Sequence, residues 1–177
     1  MRQVGLEHPI LMGENGAVIQ FGVDLPPKEF YKLPYSDNAK ESITYIKSKI
    51  DAEINDMWYQ PNEVGLTPFP KSDAEFEWIA KILEENKERL NDVKVYRHVD
   101  SFDIVPTGID KRKGLEYLCN LMKILPKEIV AVGDGVNDYP MFAFTGKAIG
   151  VNIKEADRVD INFSSITEGL KFLLTME

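Results

Sequence analysis

The eleven residues from Val132 to Phe142, VGDGVNDYPMF, are the most informative stretch of this chain. They follow the apolar run 129–131, which is typical of a buried strand, and they place Asp134 in a loop between two glycines. Asp138 follows four residues later. Two carboxylates beside the freed backbone N–H groups of such a loop suit a hard, oxygen-preferring cation such as Mg²⁺. The stretch therefore predicts a buried strand that ends at a divalent-metal site.

The alternation of strands and helices around this stretch predicts its surroundings. A helix is predicted from residue 111 to residue 125, strands at 129–132, 148–151 and 161–163, and a last helix after residue 165. Such alternation indicates a parallel sheet with helices on its faces. Functional loops of these sheets lie beyond the carboxyl ends of the strands, where Asp134 is predicted to be.

The rest of the chain has a different pattern. The segments 9–12 and 17–21 predict a hairpin around Asn15-Gly16. The block from residue 28 to residue 103 predicts a small α+β unit. Its predicted elements are a helix at 36–55 capped by Ser36 or Asp37, an extended stretch at 57–69, a helix opened by a Ser72/Glu75 capping box, and strands at 93–99 and 102–105.

Composition restricts the classes of function. Twenty-one basic and twenty-nine acidic residues give a net charge of −8, which argues against a nucleic-acid surface. No apolar run approaches the roughly 20 residues that a membrane helix needs. Cys119 is the only cysteine, so an internal disulfide is excluded and a cytoplasmic location is expected.

The run GDGVND at 133–138, followed by Pro140 and Met141, resembles the fourth motif of the haloacid dehalogenase superfamily. Phosphatases of that superfamily transfer a phosphoryl group to an aspartate and then to water. The chain is most similar to the Cof-type, sucrose-phosphate-phosphatase-like and archaeal phosphoglycolate-phosphatase-like branch. Residues 9–19, with their N-G-A turn, and residues 102–111 also carry this resemblance.

The resemblance implies an architecture and a substrate class. It implies a Rossmann-like parallel core formed by residues 1–27 and 104–177, with an inserted α+β cap of the C2 type at 28–103. It implies Mg²⁺ as the cofactor and a small phosphorylated metabolite as the substrate, such as phosphoglycolate or a sugar phosphate.

The resemblance also assigns roles to five side chains. Asp134 would be a Mg²⁺ ligand, and Asp138 would be a second ligand or an anchor behind the ligands. Asn137 would orient water or the phosphoryl group. Lys111 would neutralise negative charge on the nucleophile and the phosphoryl oxygens, as a catalytic and substrate-binding residue. Asn15 would line the same cleft.

One family motif has no match in the sequence. The Asp-x-Asp-Gly-Thr loop, which provides the nucleophile, precedes the N-G-A turn in this family, and here only fourteen residues do. No aspartate precedes Asp24. We therefore expect the chain to be inactive alone. Three explanations stay open: an N-terminal polypeptide completes it, it pairs with a second copy, or it is a non-catalytic remnant or regulatory subunit that binds a phosphate ligand or a partner chain.

Several other side chains keep two interpretations. Trp58, Tyr59 and Phe69 are predicted either to form a substrate wall or to hold the cap sheet together. His98 is expected to be structural or exposed rather than a metal ligand. Cys119 is expected to belong to the core rather than to act as a nucleophile.

Overall fold

The computed structural model describes residues 9–24, 26 and 28–175. It divides into two compact units, Met1–Ile109 and Asp110–Glu177. The part of the predicted core that precedes residue 9 lies outside the described residues, as do residues 25, 27, 176 and 177. The division into core and cap at residues 28 and 104 stays a prediction.

The first unit opens with an antiparallel sheet of three strands in the order β1 (Ile10–Gly13), β2 (Val18–Phe21) and β3 (Glu29–Lys32). β1 and β2 form the predicted hairpin, which is therefore confirmed. A 3-10 turn, Glu14–Gly16, connects them. β3 pairs with β2 and was not predicted.

Two helices follow, α1 (Asp37–Glu53) and α2 (Asp73–Glu85). The hydroxyl of Ser36 accepts a hydrogen bond in the first turn of α1, and the hydroxyl of Ser72 accepts one from the backbone N–H of Glu75 at 3.2 Å. Each cap satisfies an N–H group that has no partner inside its helix. Both predicted helix starts are confirmed.

Two antiparallel strand pairs complete this unit: β4 (Trp58–Tyr59) with β5 (Pro68–Phe69), and β6 (Val93–Arg97) with β7 (Phe102–Pro106). The strand predicted over 93–99 ends at Arg97; Val99 is 99% exposed in the connection, so its assignment to the strand was wrong. One apolar cluster holds helices and strands together; its fully buried members include Ile46, Ile50, Ile79, Phe102 and Ile104.

The second unit is an α/β layer. Its parallel sheet has three strands in the order β10 (Ile161–Phe163), β9 (Lys147–Val151) and β8 (Val130–Gly133), which confirms the predicted fold class. The helix α4 (Tyr139–Phe142) contributes Phe142 to a small core beside this sheet. Along the chain the elements are α3 (Lys111–Met122), β8 (Val130–Gly133), α4, β9 (Lys147–Val151), β10 (Ile161–Phe163) and α5 (Ile166–Leu173). None of the described helices is both long enough and apolar enough to span a bilayer.

Candidate functional site

The helix α3 brings Lys111 to the site. Asp110 is the N-cap of this helix, and its carboxylate accepts a hydrogen bond from the backbone N–H of Lys113 at 2.9 Å. A carboxylate at this position also interacts favourably with the positive end of the helix dipole. Because the cap fixes where α3 begins, Lys111 is its first residue.

The loop after β8 carries the two aspartates. A 3-10 turn, Val136–Asp138, folds the chain back so that the side chain of Asp138 lies under the end of the strand. Its Oδ2 atom accepts hydrogen bonds from the backbone N–H groups of Asp134, at 2.9 Å, and Gly135, at 3.0 Å. Asp138 is only 2% exposed. Its carboxylate therefore holds the loop together from inside.

The two glycines of the loop are there for different reasons. A Cβ atom on Gly133 would lie 2.5 Å from Cγ of Asp138, so only glycine lets that carboxylate come so close to the strand. A Cβ atom on Gly135 would lie 2.7 Å from Oδ1 of Asn137, which is the far end of a side chain that can move. Gly133 is thus the stricter requirement.

A salt bridge joins the helix to the loop. Nζ of Lys111 donates a hydrogen bond to Oδ1 of Asp138. The lysine side chain is 29% exposed, whereas the aspartate side chain is 3% exposed. The ammonium group therefore compensates a buried negative charge and still has a side open to solvent.

Asp134 is exposed, whereas Asp138 is buried. Its side chain is exposed at the carboxyl end of β8. Oxygen ligands, with one or two protein carboxylates and several waters, are what Mg²⁺ prefers, so an exposed Asp134 fits this cation. Within the described ranges, no three His, Cys, Asp or Glu side chains come together as a metal-binding group.

Four of the five predicted site residues therefore lie in the second unit. Lys111 and Asp138 are in direct contact, Asp134 adjoins them through its backbone, and Asn137 lies in the same turn. The fifth, Asn15, lies in the first unit, where its Nδ2 atom donates a hydrogen bond to Asp103.

Sequence reasoning missed two groups with a direct role in these arrangements. The Asp110 cap had a visible signal, an aspartate directly before the first helical residue. Asp103 accepts hydrogen bonds from Asn15, at 3.2 Å, and from the hydroxyl of Thr67, at 2.8 Å. Those partners are 88 and 36 residues away, so no local pattern could have indicated them.

The side chains that kept two interpretations have the following surroundings. Tyr59 packs against the core of the first unit, and its hydroxyl donates to Asp51 at 2.7 Å. Trp58 is 55% exposed and makes an edge contact with Phe69, with ring centroids 5.0 Å apart. Cys119 is buried, and this burial raises the pKa of its thiol, as the core assignment predicts.

A sequence model of the haloacid dehalogenase-like hydrolases matches residues 28–159. This chain belongs to the haloacid dehalogenase-like hydrolase family. The resemblance carried by the 133–138 run is thereby confirmed.

Individual relatives agree with this membership. The chain is 42% identical over 69 residues to a phosphoserine phosphatase from Albidiferax ferrireducens, with 39% of this chain and 29% of the relative covered. It is 27% identical over 150 residues to a phosphoglycolate phosphatase from Methanococcoides burtonii, with 85% of this chain and 62% of the relative covered. This haloacid dehalogenase-like chain thus spans less than two thirds of the length of these curated relatives.

A solved structure shows the same fold. The crystal structure of a haloacid dehalogenase-like hydrolase from Bacteroides thetaiotaomicron superposes with a TM-score of 0.69 at 16% identity. The match covers 93% of this chain and 76% of the other.

Proposed function

We propose that this chain provides the metal-binding loop and the phosphate-binding lysine of a Mg²⁺-dependent phosphatase that acts on a small phosphorylated metabolite. The observation that carries this proposal is the joined arrangement of Lys111, Asp138 and the Asp134 loop at the carboxyl end of β8. A partly exposed ammonium group and an exposed carboxylate adjoin one loop, and the hydrogen bonds of the chain itself hold that loop.

The three charged side chains would divide the work. Asp134 would hold the cation, because its carboxylate is the exposed one. Asp138 would act as the anchor, because its two oxygens already receive two backbone N–H groups and the ammonium of Lys111. Bound Mg²⁺ would supply positive charge against the phosphoryl oxygens.

Lys111 would bind the same oxygens directly. The salt bridge to Asp138 keeps the Lys111 ammonium close to the loop before the substrate arrives. Little reorganisation would therefore be needed when negative charge develops on the phosphoryl oxygens. Asn137, in the same turn, would orient water or the phosphoryl group.

The relatives support a small substrate. One is a phosphoserine phosphatase and another is a phosphoglycolate phosphatase. Both names denote phosphate monoesters of a few carbon atoms, so we propose a substrate of that size, phosphoglycolate-like or sugar-phosphate-like.

The nucleophile would come from a segment other than these 177 residues, because the sequence has no Asp-x-Asp-Gly-Thr run. Among the described strands, β8 stands at one edge of its sheet, and an edge strand can pair with a further strand. We propose that a second polypeptide or an additional segment completes the sheet there, and that the 177 residues alone turn over little or no substrate.

The experiment compares the 177-residue chain with the same chain supplemented by a polypeptide that carries the Asp-x-Asp-Gly-Thr motif. Hydrolysis of p-nitrophenyl phosphate is followed during a Mg²⁺ titration. We expect hydrolysis only after supplementation and only with Mg²⁺. In the supplemented protein, Lys111→Gln should lower kcat by roughly 10²- to 10³-fold. Lys113→Gln, two positions along α3 and exposed, is the matched control and should leave kcat within about twofold.

Two results would contradict this proposal. Robust hydrolysis by a mass-verified 177-residue sample, abolished by Asp134→Ala, would show that no additional nucleophile segment is needed. A supplemented protein that binds phosphate but never hydrolyses the ester would favour a regulatory subunit instead.

A further inference from the structure

The turn between β1 and β2 has an unusual backbone. Glu14, Asn15 and Gly16 all have positive φ values, 51°, 55° and 99°. Glycine adopts this left-handed region freely and asparagine tolerates it, but glutamate does so at a cost. Three such residues in succession need contacts from elsewhere in the fold to hold them.

The first set of contacts is made by Glu14. Its Oε1 atom accepts a hydrogen bond from the backbone N–H of Glu63 at 2.6 Å. Its Oε2 atom accepts two more, from Val64 at 2.8 Å and from Gly65 at 2.9 Å. Three successive N–H groups that converge on one carboxylate form an anion-binding nest. The nest ties the turn to the segment that precedes β5.

The second set of contacts is made by Asn15. Its Nδ2 atom donates to Oδ2 of Asp103 on β7. The same carboxylate accepts the hydroxyl of Thr67 at 2.8 Å and lies 3.2 Å from Nε2 of His98. The turn is therefore held by two sets of hydrogen bonds, one made by Glu14 and one made by Asp103. Thr67, which donates to Asp103, lies two residues after the segment 63–65 that Glu14 binds.

We propose that Glu14 and Asp103 are positioning residues that fix the side chain of Asn15. The activity test of this inference rests on the proposed function, with Asn15 binding the substrate as the family resemblance implies. The alternative is that pairing of β1 with β2 suffices to set the turn, and that both carboxylates only add stability.

Amide exchange and NMR of the 177-residue chain separate these alternatives. In Glu14→Gln, the N–H groups of residues 63–65 lose a charged acceptor together, so we expect them to exchange at least about tenfold faster. The side-chain amide signal of Asn15 should move as well. In Asp103→Asn, that signal should move while residues 63–65 stay within about threefold of the parent. Glu53→Gln, an exposed substitution at the end of α1, should change neither readout.

Activity provides the readout that a purely stabilising role would not change. In a hydrolysis-competent, supplemented protein, Glu14→Gln and Asp103→Asn should raise KM by about tenfold or more and leave kcat within about threefold. Unchanged exchange at 63–65 and an unmoved Asn15 signal in Glu14→Gln would overturn the inference. Equal acceleration of exchange throughout the first unit would also overturn it, because that result indicates general destabilisation. A parent protein without hydrolysis would refute the proposed function alone, and exchange and NMR would still decide the inference.

Discussion

Replacing Asp138 by asparagine should destabilise the second unit strongly, although the two side chains have nearly the same shape. Asp138→Asn keeps one oxygen, which can still accept from the backbone N–H groups of residues 134 and 135. It then turns an amide N–H₂ group towards the ammonium of Lys111, where a carboxylate oxygen was. The substitution thus removes one partner of a salt bridge and weakens two charge-assisted hydrogen bonds.

The magnitude follows from burial. Breaking a buried ion pair by removing one partner costs about 3–5 kcal/mol. The Lys111 side chain is 29% exposed, so water compensates part of the loss on that side. We therefore take the lower end, about 3 kcal/mol. The free energy of unfolding of a typical domain is about 5–15 kcal/mol, so this loss is a large share of the stability.

The assay must report the second unit by itself. Both tryptophans, Trp58 and Trp78, lie in the first unit, so tryptophan fluorescence would not detect the change. Amide exchange of β8 and β9 under increasing urea gives the free energy of unfolding of the sheet that carries the loop. The matched control is Glu116→Gln. Glu116 contacts two cations, Arg112 and Lys113, but these partners are about half exposed, so the expected cost is below about 1 kcal/mol. A loss below about 1 kcal/mol for Asp138→Asn, or equal losses for both variants, would show that the buried salt bridge does not stabilise the loop.

Three further predictions test other features. Gly133→Ala should cost about 2–3 kcal/mol in the same exchange assay, because its Cβ meets a carboxylate that cannot move, while Gly135→Ala should cost less than about 1 kcal/mol; equal costs would contradict this. Burial raises the pKa of the Cys119 thiol, so its reaction with a disulfide reagent at pH 8 should be much slower in folded than in urea-unfolded protein. Burial of Asp51 opposes its ionisation, yet hydrogen bonds from Lys47 and a tyrosine hydroxyl outweigh this and lower its pKa. The stability that Asp51 contributes is present above about pH 4 and is lost as pH falls further, so Asp51→Asn should flatten the acid limb of a stability-against-pH curve; an unchanged limb would contradict the assignment.

The sequence predicts those parts of the fold that depend on residues close together along the chain. The parallel sheet follows from alternating apolar runs and amphipathic helices between residues 110 and 175. The starts of α1 and α2 follow from Ser36 and Ser72, whose hydroxyls accept N–H groups three residues on. Each rule involves neighbours within a few positions, so a reader of the sequence can apply it without knowing the rest of the fold.

Contacts between distant residues leave no such pattern. The nest around Glu14 uses backbone N–H groups 49 to 51 residues away, and backbone donors are the same at every position except proline. β3 was missed for a related reason. Its four residues are mostly exposed, so pairing with β2 rather than an apolar pattern makes it a strand.

The site itself combines both kinds of information. The spacing of Asp134 and Asp138 predicts two carboxylates in one loop but cannot say which one faces solvent. The fold decides this, because a Cβ atom on residue 133 would lie 2.5 Å from Cγ of Asp138, so the glycine makes room for the Asp138 carboxylate. Asp138 occupies that space, and Lys111 compensates its charge. Asp134 is therefore the carboxylate of the loop that remains exposed. Under the proposed function, this exposed carboxylate would hold the cation, and the charge of the cation would stabilise the phosphoryl group.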